Sequence, residues 1–179
     1  MAPTLFDVVT TLTDYRSVRA IDCLAEVRLG DDHRICRLHA EPWIDSYEVS
    51  SVDGQVQSSY IASLGLVYDG EESFPYDPRG IVWRSLPARL VFPLELPIWG
   101  RSGDSHRMES AEQQDDGRIL VRLAPNRDGE ASGHLIVDPE LKMATEFDAR
   151  TLGIRYRDVE RGRGRLFVGQ RTGASFPLG

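Results

Sequence analysis

Tight-turn dipeptides divide this chain into short segments, and that division constrains its fold more than any other feature. Aspartate is followed directly by glycine or proline at Asp53-Gly54, Asp69-Gly70, Asp77-Pro78, Asp116-Gly117 and Asp138-Pro139. Aspartate and glycine readily adopt turn conformations, and proline lacks the amide hydrogen that would extend a β-ladder. Between these turns, apolar and polar residues alternate with the period of a half-buried strand. We therefore predict about ten short strands in one strongly curved antiparallel sheet, an incomplete barrel, and not the alternating strands and helices of a parallel fold.

Two apolar segments do not alternate, and we expect them to cover the concave face of the sheet. Residues 3–18 are predicted to be a helix, because a proline stands near the start and apolar residues recur at helical spacing. Residues 85–99, with the sequence SLPARLVFPLELPIW, are densely apolar, but prolines interrupt them and allow at most a short helix over residues 87–92. We call residues 85–99 the lid segment. The whole chain, residues 1–179, is predicted to be one α+β domain.

The two cysteines lie on the first predicted hairpin, whose register decides whether they can pair. Apolar residues alternate on both sides of the turn sequence GDDH. A hairpin that pairs Leu29 with Arg34 keeps both apolar sets on one face. In that register Cys23 and Cys36 lie about 10 Å or more apart, beyond the reach of a disulfide. We expect two reduced thiols that point inward and pack as small apolar groups.

The overall charge and hydropathy argue against several classes of partner. The chain has 21 basic and 28 acidic side chains, a formal net charge of −7, which disfavours nucleic acid and anionic membrane surfaces. No apolar run approaches the roughly 18 residues of a membrane-spanning helix. The N-terminus lacks the basic start and unbroken apolar stretch of a secretory signal. We expect a cytoplasmic protein, or a periplasmic or cell-envelope protein if an export signal has been removed.

The C-terminal part of the chain is locally basic. Residues 150–171 contain seven arginines, with Asp158 and Glu160 as their acidic residues. A solvated arginine-rich strand and loop would account for this pattern, and so would a docking patch for an acidic partner protein. The sequence supports both interpretations.

No catalytic or metal-binding motif stands out. The chain has four histidines: His33, His39, His106 and His134. They fall on separate predicted elements and lack the spacing of metal ligands. A nucleophile elbow, a phosphate-binding loop and a dinucleotide fingerprint are all absent from the sequence, and we expect no metal and no cofactor. We expect His39 to be solvated on the outward side of its strand, and Glu41, Asp45 and Glu48 to belong to a solvated face.

Glu95 stands between Leu94 and Leu96 in the lid segment. If it is buried there, its pKa is raised, and it could act as an acid or base or anchor the polar head of a ligand. If its side chain points to water, it has no such role.

The order of these elements resembles that of the bacterial lipoprotein carriers, the LolA/LppX-like family that includes actinobacterial relatives. The motifs that carry the resemblance are Tyr68-Asp69-Gly70, Tyr76-Asp77-Pro78, Val137-Asp138-Pro139 and Asp158-Val159. They span most of residues 5–168 together with the predicted helix and the lid segment. The resemblance implies an unclosed β-barrel wrapped around a lid, with an apolar cavity that holds acyl chains. The arginine that controls the lid in these carriers would be Arg84 or Arg89.

Three functions fit this architecture. The first is a non-catalytic binding or carrier protein that holds a hydrophobic small molecule or an acyl chain between sheet and lid segment. The second is a cyclase or isomerase acting on a hydrophobic substrate in the same cavity. The third is an interaction module that docks a partner protein through the lid segment or the arginine-rich C-terminal segment. The residues expected to line the ligand site are Cys23, Val27, Leu38, Trp43, Tyr47, Tyr60, Leu90, Phe92, Glu95, Leu96 and Trp99.

A solid core is the alternative to a cavity. If the helix and the lid segment fill the concave side completely, no space remains for a ligand there.

Overall fold

The computed structural model describes residues 3–70, 72–75, 84–128 and 131–166. In these residues one helix, α1 (Leu5–Thr13), precedes eleven strands that belong to a single antiparallel sheet. The strands are β1 Ile21–Leu29, β2 Asp32–Glu41, β3 Ser46–Ser50, β4 Val56–Ile61, β5 Leu66–Asp69, β6 Glu72–Pro75, β7 His106–Gln113, β8 Ile119–Pro125, β9 Gly133–Asp138, β10 Met143–Asp148 and β11 Leu152–Arg161.

The sheet consists of two meanders that meet at its centre. The strand order is β6-β5-β4-β3-β2-β1-β11-β10-β9-β8-β7, so spatial neighbours are sequence neighbours everywhere except at β1 and β11. Among the described strands, β6 and β7 form the two edges, and the sheet of these strands is not closed into a barrel. The predicted fold class, an open antiparallel sheet with an N-terminal helix, is therefore confirmed.

Local irregularities let the sheet bend. Four strand pairings contain a β-bulge or a similar shift of register. An extra residue on one strand bends that strand and increases its twist, so these positions help a wide sheet to curve around its apolar face. The shifts lie between Asp22 and Leu24, Val49 and Ser50, Met108 and Ser110, and Ala144 and Glu146.

The first hairpin is tighter than the sequence analysis predicts. Leu29 pairs with Asp32, so the turn consists of two residues and not of four. The predicted pairing of Leu29 with Arg34 is wrong by two residues. The reason is Gly30, whose positive φ of 59° permits the two-residue turn. A shift of two residues leaves every side chain on its predicted face.

Cys23 and Cys36 are free thiols buried on the apolar face, as predicted. Cys23 lies opposite Leu38 and Cys36 lies opposite Ala25, so the two cysteines are diagonal neighbours, closer than the predicted register places them. Burial raises the pKa of both thiols. Both therefore remain protonated and behave as apolar core residues.

Helix α1 is shorter than the predicted helix of residues 3–18. Its start is fixed by a reciprocal cap, in which the Thr4 side chain accepts from the Asp7 backbone N–H and the Asp7 carboxylate accepts from the Thr4 backbone N–H. After α1 the chain continues as a tight 3-10 turn, Asp14–Ser17, which prolongs the apolar stripe. The buried residues of that stripe are Val8, Leu12 and Tyr15. In the described part of the chain, no helix is both long enough and apolar enough to span a membrane.

The lid segment crosses the apolar face as an irregular chain. It contains two 3-10 turns, Leu86–Ala88 and Pro93–Glu95, and residues 87–92 do not form an α-helix. Its end is hydrogen-bonded to β7, since His106 N–H donates to Pro97 O at 3.0 Å. Its deeply buried side chains are Ala88, Leu90, Val91, Phe92, Leu96 and Ile98.

Most of the space between the sheet, α1 and the lid segment is a continuous packed core. The bulkiest fully buried side chains come from all three parts. They include Leu12 of the helix, Phe92, Leu90 and Leu96 of the lid segment, and Tyr47, Leu38, Leu135 and Phe147 of the sheet. The solid-core alternative therefore describes the centre of the molecule.

Some predicted elements differ from the structure or lie outside the described residues. Trp43 belongs to a 3-10 turn, Pro42–Ile44, because the proline interrupts the strand predicted there. Arg165 lies in coil that follows β11, and not in the predicted strand of residues 165–168. Residues 76–80 and 167–168, which include the predicted Asp77-Pro78 turn, lie outside the described residues.

Leu94 and Leu96 offer a matched test of how the lid segment contributes to stability. Leu96 is fully buried, whereas Leu94 is 46% exposed. Leu96→Ala leaves a cavity and should lower the free energy of unfolding by about 2–5 kcal/mol. Leu94→Ala should change it by less than about 0.5 kcal/mol. Urea denaturation measures both, and equally small losses would show that the lid segment is not part of the cooperative core.

Candidate functional site

An open space remains between the sheet and the lid segment at the β3–β6 end of the apolar face. Its volume is about 430 Å³, and we call it the lid pocket. Its walls come from strands β2 to β6 and from the first residues of the lid segment. The lining residues are Arg34, Tyr47, Val49, Gln57, Ser58, Val67, Tyr68, Asp69, Phe74, Ser85, Leu86 and Pro87.

The lid pocket combines an apolar wall with polar and charged side chains. Tyr47, Val67 and Phe74 share the inner face of the sheet, as their cross-strand pairing through Tyr60 shows. Phe74 is 46% exposed although it lies on this inner face. The buried Ser85 Oγ has no hydrogen-bond partner among the described residues. The polar and charged lining residues are Arg34, Gln57, Ser58, Asp69 and Ser85, so the lining is mixed.

Only Tyr47 among the eleven predicted lining residues borders the lid pocket. Trp43 is exposed and lies near Arg19, with the guanidinium carbon 5.9 Å from the ring centroid. Trp99 is partly buried, and its indole N–H donates to Pro93 O at 2.9 Å. The predicted residues packed in the core are Cys23, Val27, Leu38, Tyr60, Leu90, Phe92 and Leu96.

Glu95, the remaining predicted residue, is ion-paired with Arg84 at the start of the lid segment. The Arg84 guanidinium bonds to both Glu95 and Asp45, and the Arg84 backbone N–H donates to Glu95 Oε2 at 3.1 Å. The guanidinium carbon also lies 4.2 Å from the centroid of the Phe92 ring. Only 15% of the Arg84 side chain is exposed. These contacts tie one end of the lid segment to the turn before β3.

The Arg84 cluster changes the expectations for two acidic residues. Asp45 does not belong to a solvated face, because it adopts a left-handed conformation with φ of 59° and pairs with Arg84. Glu95 is neither a lone buried acid nor directed at water. Arg89, the other candidate lid arginine, donates through Nε to Arg84 O at 3.3 Å, and burial lowers the pKa of its guanidinium.

A second polar site lies on the opposite, outer face of the sheet. His39 Nδ1 lies 2.8 Å from Asp22 Oδ1, and His39 Nε2 lies 3.2 Å from Glu41 Oε1. We call these three residues the outer row. His39 is 3% exposed and Glu41 is fully buried, so the expectation that both are solvated is wrong.

Residues 162–166, which we call the C-terminal arm, cover the outer row. Glu41 Oε1 accepts hydrogen bonds from two consecutive backbone N–H groups, those of Arg165 and Leu166, the latter at 2.6 Å. Gly162 N–H donates to Ala20 O at 2.9 Å. The arm thus supplies the burial and the hydrogen bonds that Glu41 needs as a charged group inside the protein.

Two glycines permit this close approach. A Cβ atom on Gly162 would collide with the Asp22 carboxylate, and a Cβ atom on Gly164 would lie 3.1 Å from Glu41 Oε2. Together with the direct pairing of Asp22 and His39 across β1 and β2, they are the sequence signals of this site. The incorrect hairpin register separates Asp22 from His39 and hides the site from the sequence analysis.

Burial and hydrogen bonding act in opposite directions on Glu41. Burial alone would raise the pKa of its carboxyl group, whereas the backbone N–H groups of Leu166 and Arg165 and the neighbouring His39 lower it. The hydrogen bonds prevail, so the pKa of Glu41 lies below its ordinary value of 4.5. The docked arm therefore favours the ionised carboxylate.

An open cleft of about 680 Å³ continues from the outer row along the outer face. We call it the outer cleft. Acidic side chains predominate among the charged groups on its walls. The lining residues are Asp22, Cys23, Leu24, Arg37, Leu38, His39, Glu48, Ser50, Val52, Asp53, Gly54, Asp158, Glu160 and Arg165.

Three of the four histidines, His39, His106 and His134, form hydrogen bonds within the protein. His134 Nε2 lies 3.1 Å from Glu146 Oε1, and His106 Nε2 lies 3.1 Å from Ala131 O. Across residues 3–70, 72–75, 84–128 and 131–166, no three His, Cys, Asp or Glu side chains are grouped so as to hold a metal ion.

Comparison with known proteins gives architectural likeness alone. No protein-family model matches the chain, and no curated protein matches it. An uncharacterized conserved protein from Thermus thermophilus is similar at 10% identity and a TM-score of 0.48, over 90% of this chain and 89% of that one. MucB, solved in complex with MucA(peri), is similar at 10% identity and a TM-score of 0.48, over 92% of this chain and 60% of its own. Likenesses at these values support no inference about function.

Arg84→Lys tests whether the guanidinium fork fastens the lid segment. A lysine ammonium keeps the charge but cannot bridge the two carboxylates in the same planar geometry. We expect a loss of about 1–3 kcal/mol in the free energy of unfolding, together with faster amide exchange at residues 86–92. Arg122→Lys is the control, because Arg122 is 64% exposed and lies 3.9 Å from Glu112. If both variants behave alike, the Arg84 cluster does not fasten the lid segment.

Glu41→Gln tests the coupling between the arm and the pH dependence of stability. A pKa below 4.5 in the folded state means that ionised Glu41 contributes stability above about pH 4.5 and loses it as the pH falls toward the folded-state pKa. The free energy of unfolding should therefore fall more steeply for the wild type than for Glu41→Gln between about pH 5 and pH 3. Glu112→Gln, at an exposed site, should retain the wild-type slope. Parallel curves for all three proteins would refute the coupling.

Proposed function

We propose that this protein binds a hydrophobic small molecule or an acyl chain in the lid pocket, without chemically altering it. The observation that carries the proposal is the uneven fit of the lid segment. Around Phe92 the segment is packed tightly against the sheet, whereas around Ser85 and Leu86 it leaves a space of about 430 Å³.

The size of this space and the apolar part of its lining suit such a ligand. Pockets that bind small molecules commonly measure about 300–1,000 Å³. An apolar ligand would remove from water the exposed part of Phe74 and the neighbouring surfaces of Val67 and Tyr47, which is favourable by about 25 cal/mol per Å².

A longer ligand requires movement of the lid segment. Phe92 lies behind the pocket in the packed core, where its ring centroid is 6.1 Å from that of the pocket residue Tyr47. Displacing the lid segment would extend the pocket toward Tyr60 and the other predicted lining residues of the core. The ion pairs of Arg84 oppose that displacement, so we assign to Arg84 the control of ligand access.

The cyclase or isomerase alternative receives no support from an observation at the pocket. Its candidate acid or base, Glu95, is ion-paired with Arg84 and does not border the lid pocket.

Val67→Trp tests the pocket by filling it. Val67 is partly buried on the pocket wall, and an indole at that position would occupy the space of the ligand. With the uncharged fluorophore N-phenyl-1-naphthylamine as probe, we expect at least about a tenfold rise in the dissociation constant, which corresponds to about 1.4 kcal/mol. Val56→Trp is the matched control, because Val56 is exposed on the neighbouring strand outside the pocket. It should bind the probe within about twofold of the wild type.

Native mass spectrometry of the purified protein complements this test. A co-purified apolar compound that is present in the wild type and in Val56→Trp, but absent from Val67→Trp, would identify the ligand. Equal probe binding by all three proteins, or no binding to the wild type, would refute the proposed function.

A further inference from the structure

The C-terminal arm lies in the outer face of the sheet as a peptide lies in a binding site. Glu41 accepts hydrogen bonds from the main-chain N–H groups of Arg165 and Leu166 in the arm. Its first residue is held by Ala20 O, which accepts from Gly162 N–H at 2.9 Å. Main-chain hydrogen bonds of this kind give affinity for an extended segment of any sequence.

Side-chain contacts add a defined sequence preference. Leu166 is buried, and Arg165 Nη2 lies 3.6 Å from Glu48 Oε1. The positions of Gly162 and Gly164 leave no room for a larger residue beside Asp22 and Glu41. The site therefore fits a segment with two glycines in alternate positions, followed by an arginine and then an apolar residue.

The outer face has space and charged groups that the arm does not contact. The outer cleft, about 680 Å³ in volume, begins at Arg165 and is not filled by any described residue. Its charged walls carry five carboxylates against Arg37, Arg165 and the largely buried His39. Glu41 Oε2 is buried and has no hydrogen-bond partner among the described residues. A longer segment with basic flanking residues would meet complementary charge where the arm leaves open space.

We propose that the outer row and the outer cleft form a binding site for an extended segment of a partner protein, of the pattern Gly-x-Gly-Arg-apolar with basic flanks. The C-terminal arm occupies part of this site in cis. Because the arm is tethered, it competes at a high effective concentration, and a partner needs the additional contacts of the outer cleft to displace it.

The experiment uses the labelled peptide Arg-Gly-Arg-Gly-Arg-Leu, the sequence of residues 161–166, and the full-length protein. Leu166→Ser removes the buried anchor of the arm and leaves the site intact. By fluorescence anisotropy we expect the peptide to bind Leu166→Ser at least about tenfold more tightly than the wild type, because the competing arm is weakened. Gly164→Ala is the second variant, because the added methyl group crowds the arm against Glu41. It replaces Leu166→Ser in the same measurement if Leu166→Ser does not fold.

A matched peptide isolates the role of Glu41. In this peptide the backbone nitrogens of the last two residues are methylated, which keeps the charge but removes both N–H groups. We expect the methylated peptide to bind the Leu166→Ser protein at least about tenfold more weakly than the unmodified peptide does. Glu41→Leu in the Leu166→Ser background, which removes the acceptor oxygens, should show a similar loss for the unmodified peptide. Amide exchange at Arg165 and Leu166 reports whether the arm has been released.

Two results would overturn the proposal. In the first, the arm is released in a variant, yet the methylated and unmodified peptides bind with equal affinity, which would show that only their charge is recognised. Failure of both peptides to bind the released variant would show that the site recognises neither. In the other, the arm stays docked in both variants and millimolar peptide does not displace it, which would make the contact purely intramolecular.

Discussion

The pairing of β1 with β11 is the interaction on which the rest of the structure depends. It is the only junction between the two meanders of the described sheet, running from Ile21 opposite Arg161 to Leu29 opposite Leu152. Contacts between such distant parts of a chain cost loop-closure entropy and must be offset by burial. The inner side chains at this junction are accordingly buried, and the Tyr156 O–H donates to Pro87 O at 2.6 Å. The junction therefore positions the lid segment above the centre of the sheet, and the end of β11 delivers the C-terminal arm to the outer face.

The location of the lid pocket follows from how little of the described chain covers a wide sheet. Helix α1 packs against β7 and β10, and the first turn of the lid segment, Leu86–Ala88, packs against β1, β2 and β3. Those contacts complete the core at the centre and on the β7 side. Strands β5 and β6 extend beyond the lid segment, which leaves the inner face of Phe74 exposed. In the described residues, an open sheet with a short lid thus has its incomplete packing at one end.

Alternation and turn chemistry were sufficient to predict the sheet, because both are local properties of the sequence. Strand β8 is an example, since Ile119, Val121 and Leu123 alternate directly after the Asp116-Gly117 turn and all three are buried. Which apolar residues line the pocket was not predictable, because the irregular lid segment has no period from which its packing can be read. The burial of His39 and Glu41 was hidden for a different reason, since the segment that buries Glu41 lies 125 residues away along the chain. The resemblance to lipoprotein carriers stays a prediction.

The two faces of the sheet differ in the free-energy cost of leaving their sites empty. An empty lid pocket exposes aromatic surface to water, which is unfavourable and favours occupancy or closure of the lid segment. An empty outer row exposes Glu41, whose carboxylate is readily hydrated, so release of the arm loses specific hydrogen bonds but gains the solvation of a charge. An apolar residue at position 41 could also hold the arm by packing against it. It would not accept hydrogen bonds from two consecutive N–H groups, and it would leave an exposed apolar patch when the arm is released. A buried carboxylate under a glycine-rich segment is therefore better suited to reversible exchange of one peptide for another than to permanent attachment.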